Sequence, residues 1–151
     1  MELLDIESAI RKGVPLEAIA ERLDWREFEM LCSAILNEHG WKIKRNFHFK
    51  TGSRHEIDIV ALKPDKILLV DCKHWGIRPG KKYQLKAAAE KQSNRAGEFQ
   101  KARFLWRKDR QKSHTIIITL FEEEILQVEG VWIVPVFKLN AFLLDIESYL
   151  E

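Results

Sequence analysis

Two carboxylates and a lysine lie at the ends of two short apolar stretches. Asp58 stands in "HEIDIV", and Asp71 and Lys73 follow the apolar run in "ILLVDCK". Carboxylate oxygens are the ligands that hard divalent cations prefer. Such a cation lowers the pKa of a bound water and polarises a phosphate, and a nearby ammonium group stabilises charge developing on that phosphate. These residue types therefore indicate metal-dependent hydrolysis of a phosphodiester.

A tight turn would bring the two aspartates together. Residues 63–66, Lys-Pro-Asp-Lys, have turn composition between two predicted strands. With a symmetric loop, Asp58 faces Asp71 and Glu56 faces Lys73. Directly opposed side chains have Cβ atoms about 4.5–5.5 Å apart, so the carboxylates repel unless a cation or proton compensates. A shift of one residue in the register would separate them.

A helix before these strands carries a third acid. Asp24 and Glu27 have the spacing of a capping box, and the apolar stripe of Phe28, Leu31 and Cys32 predicts a helix ending at Gly40. Glu29 lies at the border of this buried stripe. It is either an ordinary surface glutamate or a third carboxylate that leans over the sheet toward the aspartates.

The remaining elements predict an α/β fold with a mixed sheet. Beyond a first helix at 2–12 and a short one at 15–23, we expect strands at 41–50, 56–62 and 66–73, a helix at 82–108, strands at 115–120 and 131–136, and a closing helix at 138–150. Short links make the first three strands an antiparallel meander. The long helix is a crossover, so the fourth strand should lie parallel to the third.

The composition is that of one globular domain. The 151 residues are 46% hydrophobic and 32% charged, and no apolar run is long enough for a membrane span. Cys32 and Cys72 are too few for a disulfide framework, so we expect reduced thiols in a cytoplasmic protein. The acidic N-terminus lacks the pattern of a secretory signal, and the histidines lack zinc-site spacing.

Basic residues are concentrated in one segment although the net charge is only +2. Residues 78–112 carry twelve basic and three acidic side chains, whereas residues 113–151 carry one and seven. A basic segment in an otherwise acidic protein is typical of a polyanion-binding surface. It is equally typical of a solvated helix with extended lysine side chains, so charge alone does not decide between the two.

The acids and the lysine together resemble the PD-(D/E)xK nuclease superfamily, with the nearest likeness to Mrr-like restriction endonucleases and archaeal Holliday-junction resolvases. The matching stretches are "WREFEML", "GSRHEIDIV" and "LLVDCKHW", within residues 24–137. No proline precedes Asp58, where the family name expects one. The resemblance implies a restriction-endonuclease-like three-layer sandwich in the order α-β-β-β-α-β-β-α. Residues 24–151 would form this nuclease domain, and residues 1–23 a helical extension.

The resemblance also implies roles for individual residues. Asp58, Asp71 and the main-chain carbonyl of Cys72 would bind Mg²⁺, or Mn²⁺ as the alternative, with Glu29 binding directly or through water. Lys73 would be the catalytic lysine. Related members carry a glutamine on the following helix. Gln92 is the better candidate for that position, and Gln84 is the other. The alternative for both is that they are ordinary polar residues on a solvent-exposed helix face.

The leading hypothesis is a metal-dependent DNA endonuclease, in which a metal-activated water attacks a phosphodiester of duplex or branched DNA and the basic helix contacts the phosphates. The residues assigned to that contact are Lys81, Lys82, Lys86, Arg95 and Lys101. One alternative is a non-catalytic DNA-binding module on a nuclease-like scaffold, and another is a protein-interaction domain with an incidental acid cluster. We expect no membrane association, and a homodimer remains open.

Overall fold

The computed structural model describes residues 8–9, 11–74, 81–106, 112–120 and 124–150. The helices are α1 (Leu16–Glu21), α2 (Trp25–Glu38), α3 (Lys81–Trp106), α4 (Val136–Leu144) and α5 (Ile146–Tyr149). The strands are β1 (Lys42–Thr51), β2 (Ser53–Leu62), β3 (Lys66–Lys73), β4 (Lys112–Thr119), β5 (Leu126–Val128) and β6 (Val131–Pro135).

The strands form one mixed sheet in the order β1-β2-β3-β4-β6-β5. The first three strands are an antiparallel meander, and β4 lies parallel to β3 across the α3 crossover. Strand β6 is parallel to β4, and β5 is antiparallel to β6 at the edge. The predicted meander and the predicted parallel crossover are both confirmed.

Helices cover both faces of the sheet, which gives the predicted three-layer α/β sandwich. On one face, α2 and α4 bury Phe28, Leu36 and Phe142 against Ile59 and Val70. Burying one such large apolar side chain contributes about 1.5–3 kcal/mol. The other face is covered by α3, whose buried side chains form two smaller clusters with the sheet.

The α2 helix begins where its sequence predicts. The Asp24 side chain accepts a hydrogen bond from the Glu27 N–H at 2.8 Å, and the Glu27 side chain accepts one from the Asp24 N–H at 3.0 Å. This reciprocal pair satisfies two amide groups that the first helical turn would otherwise leave unpaired. The cap fixes the phase of the helix and therefore the direction in which Glu29 points.

The α3 helix crosses the strands instead of following one of them. Leu85 and Ala89 pack with side chains of β4 and β6, whereas Phe99 packs with Phe47 and Phe49 of β1. Between these contacts, Gln92 reaches the backbone of β3. The crossing therefore carries the middle of α3 over the strand that bears Asp71 and Lys73.

Strands β1 and β2 exchange faces near Asp58. Ile43 and Ile59 pack in the α2 layer, whereas Phe47 and Ile57 pack in the α3 layer. The change occurs around Asn46, which lies between them and has a left-handed φ of +52°. Only a small fraction of residues other than glycine adopts this conformation, and asparagine is among those that do so most readily. The face change marks the point where the meander hairpin leaves the main sheet.

Several predicted element bounds differ from the structure: β2 begins at Ser53 instead of 56, and β4 spans Lys112–Thr119 instead of 115–120. The three-residue strand β5 is absent from the predicted order, because its largely exposed Leu-Gln-Val has neither the length nor the alternation of a recognisable strand. Val136 begins α4 instead of ending a strand. The predicted closing helix divides at Asp145 into α4 and α5.

Part of the predicted N-terminal extension belongs to the main core. Ile19, Ala20 and Leu23 are buried in the cluster under α2 and α4. Most of the predicted helix at 2–12 lies outside the described residues, and the domain boundary after residue 23 remains a prediction. Among the helices that the structure describes, none combines the length and the apolar character needed to cross a membrane.

Candidate active site

The β2–β3 register is the one that the turn at 63–66 predicts. Leu62 pairs with Ile67 and Ile59 with Val70, where the backbone ladder ends. One step further in this register lie Asp58 and Asp71. There the Asp58 Oδ2 atom accepts a hydrogen bond from the Cys72 N–H at 3.0 Å. The Asp58 side chain is thereby fixed against the end of β3.

The two aspartates bring their carboxyl groups together at the end of the β2–β3 ladder and are here called the acid pair. Asp71 is only 4% exposed, and Asp58 is partly buried. Burial, the hydrogen bond to Asp71 and the nearby Asp71 charge raise the pKa of Asp58 to about 7, although the Cys72 N–H opposes this shift. At neutral pH the pair therefore holds a proton for part of the time, as two closely spaced carboxyls must without a cation between them.

Two cations flank the acid pair. The Lys73 Nζ atom lies 3.1 Å from Asp71 Oδ2, and the Arg95 Nη1 atom lies 3.9 Å from Asp71 Oδ1. The Lys73 contact is an ion pair without hydrogen-bond geometry, so the buried Oδ2 atom retains accepting capacity. Lys73 and Arg95 are about 30% exposed, so both can also meet an approaching anion.

Gln92 fixes Arg95 in this position. It is 1% exposed, and its Nε2 atom donates to the Leu69 carbonyl at 3.2 Å. Its Oε1 atom accepts from Arg95 Nη1, also at 3.2 Å. Gln92 thus connects the backbone of β3 to the guanidinium beside Asp71. Within the described part of the chain, no comparable contact links Gln84 to the acid pair.

Glu29 approaches the acid pair from the α2 layer. It is 5% exposed, and burial raises its pKa, with smaller raising contributions from Glu56 and Asp71. The positive charge of Arg45 opposes the shift. Arg45 is a neighbour of Glu29 that was not predicted from the sequence. Arg45 follows Ile43 by two residues on β1, and Ile43 faces α2. Residues two apart on a strand share a face, so this spacing could have placed Arg45 near α2 and Glu29.

The donor set fits a hard cation but does not form a complete cage. Over the ranges that the structure describes, no three His, Cys, Asp or Glu side chains are grouped so that they could hold one metal ion. The acid pair supplies oxygen ligands, and among the described residues Asp71 Oδ2 has no hydrogen-bond partner, which suits Mg²⁺ or Mn²⁺. Glu29 and the Cys72 carbonyl remain predicted ligands.

The Cys72 side chain points away from the acid pair, as the strand alternation predicts. It packs with the α2 layer, where its thiol contacts the buried Cys32 thiol. The Cys32 hydrogen bond and burial raise the pKa of Cys72 well above its ordinary value. Both cysteines are free, so neither thiol is linked in a disulfide.

Thr119 is a second site residue that was not predicted from the sequence. It pairs with Lys73 across the parallel β3–β4 ladder and is 3% exposed. Its Oγ1 atom has no hydrogen-bond partner among the described residues. In the sequence, this threonine directly follows the apolar run of β4, at the position where a strand ends. Its pairing with Lys73 could not be predicted, because it depends on the path of the crossover between β3 and β4.

The predicted nucleic-acid residues of α3 have different surroundings. Lys86 is exposed, and Arg95 belongs to the site itself. Lys101 is exposed and pairs with Glu98 at 3.1 Å. The side chains of Lys81 and Lys82 lie outside the described part of the structure. The assignment of these residues to DNA contact remains a prediction.

The sequence matches the family model of the nuclease-related domain, NERD, over residues 24–118. A curated relative is an uncharacterized protein of Archaeoglobus fulgidus, which is 29% identical over 127 residues, 83% of this chain and 94% of the relative.

Two solved structures are also similar. The protein of unknown function AF1548 has a TM-score of 0.39 and 24% identity over 66% of this chain and 50% of its own length. Protein VC1899 of Vibrio cholerae has a TM-score of 0.39 and 12% identity over 81% of this chain and 32% of its own length.

The family match covers the acid pair, Lys73 and α3, in agreement with the resemblance to PD-(D/E)xK nucleases. The chain therefore belongs to the nuclease-related domain family.

Proposed function

We propose that this protein is a metal-dependent endonuclease that hydrolyses phosphodiester bonds of DNA at the acid pair. The observation that carries the proposal is the adjacent acids Asp58 and Asp71 at one strand end, with Asp58 held by the Cys72 N–H at 3.0 Å and Lys73 Nζ 3.1 Å from Asp71. An ion pair with Lys73 that served only the fold would need one carboxylate. Here two acids share a buried strand end, and the pKa of Asp58 is raised as a result. Perturbed acids of this kind are concentrated at functional sites. Membership of a nuclease-related family supports the same conclusion.

Asp58 and Asp71 are the proposed ligands of Mg²⁺ or Mn²⁺, with Glu29 and the Cys72 carbonyl completing the set. When bound, such an ion supplies a water of lowered pKa and polarises the phosphate. Binding at the acid pair also removes the repulsion between its carboxylates. The proton held by Asp58 must then leave, so metal affinity should rise with pH up to about 7.

The remaining site residues act on the substrate. Lys73 orients the attacking water and stabilises negative charge on the phosphate in the transition state. Arg95, fixed by Gln92, binds a non-bridging phosphate oxygen. Preorganisation by Gln92 lowers the entropy that Arg95 loses when it binds. Gln92 is therefore a positioning residue that acts through Arg95.

The basic side chains of α3 supply sequence-independent contacts to the DNA backbone. Lys81, Lys82, Lys86 and Lys101 are proposed for this role. Each phosphate contact contributes a slope of about −0.9 to the dependence of log K on log salt concentration, so binding should weaken steeply as salt rises.

The substrate is duplex or branched DNA, and a homodimer would supply two sites for cutting both strands. The free thiols Cys32 and Cys72 are the basis for proposing a cytoplasmic location.

A cleavage assay tests the proposal. Linear, branched and single-stranded DNA is incubated with Mg²⁺ or Mn²⁺ and either the wild-type protein, Asp71→Asn or Lys73→Met. Loss of a preorganised charge at a transition state typically lowers the rate by about 10²–10³-fold, so both variants should lose at least this much. Lys112→Gln is the matched control, since Lys112 is exposed at the opposite end of the sheet.

Three outcomes separate the hypotheses. Cleavage that needs metal, Asp71 and Lys73 supports the nuclease. DNA binding without cleavage under either metal would favour the non-catalytic DNA-binding module. Metal-dependent cleavage that persists unchanged in Asp71→Asn would show that the acid pair is not the active site.

A further inference from the structure

The hairpin of β1 and β2 extends beyond the main sheet as a two-stranded ribbon. Pairing with β3 ends at Ile59, whereas pairing between β1 and β2 continues from Phe47–Ile57 to Thr51–Ser53. We call residues 47–57 the ribbon. It leaves the sheet next to Asp58, at the end where the acid pair lies.

The inner face of the ribbon is packed against α3. Phe47 and Phe49 each meet Phe99 edge to face, with ring centroids 5.9 and 5.8 Å apart. His55 stacks on Phe49 at 5.0 Å, and Thr51 hydrogen-bonds to Glu98 near the tip. These contacts anchor the ribbon on one side and fix the direction of the opposite side.

The outer face of the ribbon is exposed and basic. By strand alternation, His48, Lys50, Arg54 and Glu56 point away from α3, and all four are exposed. Lys50 lies directly opposite Arg54 across the two strands. Like charges in this arrangement destabilise a hairpin. Across the described ranges, neither Lys50 nor Arg54 forms an ion pair within 4.0 Å, and the acid that shares their face, Glu56, lies two residues from Arg54 along β2.

The outer face lies at a defined distance from the acid pair. Arg54 precedes Asp58 by four residues, which corresponds to roughly 13 Å along the strand. Duplex DNA rises about 3.4 Å per base pair, so for a duplex whose axis runs along the ribbon this distance corresponds to about four base pairs. A duplex with one phosphate at the acid pair could therefore present further phosphates to Lys50 and Arg54.

We propose that Lys50 and Arg54 on the outer face of the ribbon bind the phosphate backbone of duplex DNA about four base pairs from the cleaved bond. This inference rests on the proposed function and adds a contact surface outside α3. A bound phosphate would relieve the repulsion between the two cations, which favours binding at this pair. The competing explanation is that lysine on the edge strand β1 only prevents pairing with other chains.

Lys50→Glu distinguishes these explanations. A glutamate at position 50 faces Arg54 as an opposite charge, so the fold should be at least as stable as the wild type. It also keeps a charge on the edge, so protection against edge pairing is retained. Only phosphate binding should suffer. The melting temperature and the monomeric state of the variant are measured first, which separates a binding defect from misfolding.

Binding is measured by fluorescence anisotropy with a labelled duplex of about 20 base pairs, in EDTA so that no cleavage occurs. Losing one phosphate contact should weaken Kd about eightfold at about 0.1 M salt and reduce the salt slope by about 0.9. Lys50→Gln and Arg54→Gln should each show this loss, and Lys50→Glu a larger one. Lys112→Gln, an exposed lysine remote from the ribbon, should bind like the wild type.

The outcomes are distinct from those of the cleavage assay. Wild-type affinity in Lys50→Glu would overturn the ribbon proposal and leave edge protection as the role of Lys50. Weakened binding by Lys50→Glu, without cleavage by the wild type, would support the ribbon and overturn the nuclease. Failure of the wild-type protein to bind DNA would overturn both.

Discussion

Replacing Asp58 with asparagine should stabilise the metal-free protein above neutral pH. Burial and the hydrogen bond to Asp71 raise the pKa of Asp58 from 3.8 to about 7. The folded state therefore keeps a proton that the unfolded state releases between about pH 4 and about pH 7. The unfolding free energy falls as pH rises through this window, and the full cost is present above it.

The size of the effect follows from the shift. About three pKa units at 1.36 kcal/mol per unit correspond to about 4 kcal/mol, and the partial exposure of Asp58 makes this an upper bound. Asparagine is neutral throughout, can still accept the Cys72 N–H and can donate to Asp71. The stability advantage of Asp58→Asn should therefore grow by up to about 1.4 kcal/mol per pH unit between about pH 4 and pH 7, and then level off.

Urea unfolding of both proteins in EDTA, from about pH 5 to about pH 8, measures this difference. Asp65→Asn is the control, since Asp65 lies in the exposed turn before β3 and is far from the acid pair. A stability difference that does not change with pH would refute the reasoning. So would an Asp58→Asn protein less stable than the wild type at the highest pH.

Two further substitutions test the surroundings of the acid pair. Gln92→Met keeps the volume but removes the hydrogen bonds to Leu69 and Arg95, so the unfolding free energy should fall by about 1–3 kcal/mol in urea titrations. Unchanged stability would show that these bonds are not made. Thr119→Val should instead raise the unfolding free energy by about 1 kcal/mol, since the buried hydroxyl lacks a partner in the described structure. A destabilised Thr119→Val protein would mean that the hydroxyl is hydrogen-bonded.

Local patterns predicted the elements that build the acid pair. The capping box at Asp24 set the start of α2, and the turn at 63–66 set the register that aligns Asp58 with Asp71. Both depend on contacts between residues near in sequence, which composition and periodicity encode directly. The parallel pairing of β4 with β3 was predictable from the long helical connection between them, because such a crossover can return the chain in the same direction.

Features that depend on tertiary geometry were not predictable in the same way. The diagonal path of α3 decides that Gln92 meets Leu69 and that Arg95 reaches Asp71. The exchange of faces at Asn46 places Lys50 and Arg54 on the outer side of the ribbon. Both depend on how α3 packs across the sheet, through Leu85 and Ala89 at one end and Phe99 at the other, which no short-range pattern encodes.

The most direct test of the central claim is the location of a bound cation. Crystals of the wild-type protein grown with Mn²⁺ are measured at a wavelength where manganese scatters anomalously. We expect one anomalous peak between the carboxylates of Asp58 and Asp71, with Lys73 beside it. Absence of a peak there, with the two carboxylates still hydrogen-bonded to each other, would contradict it.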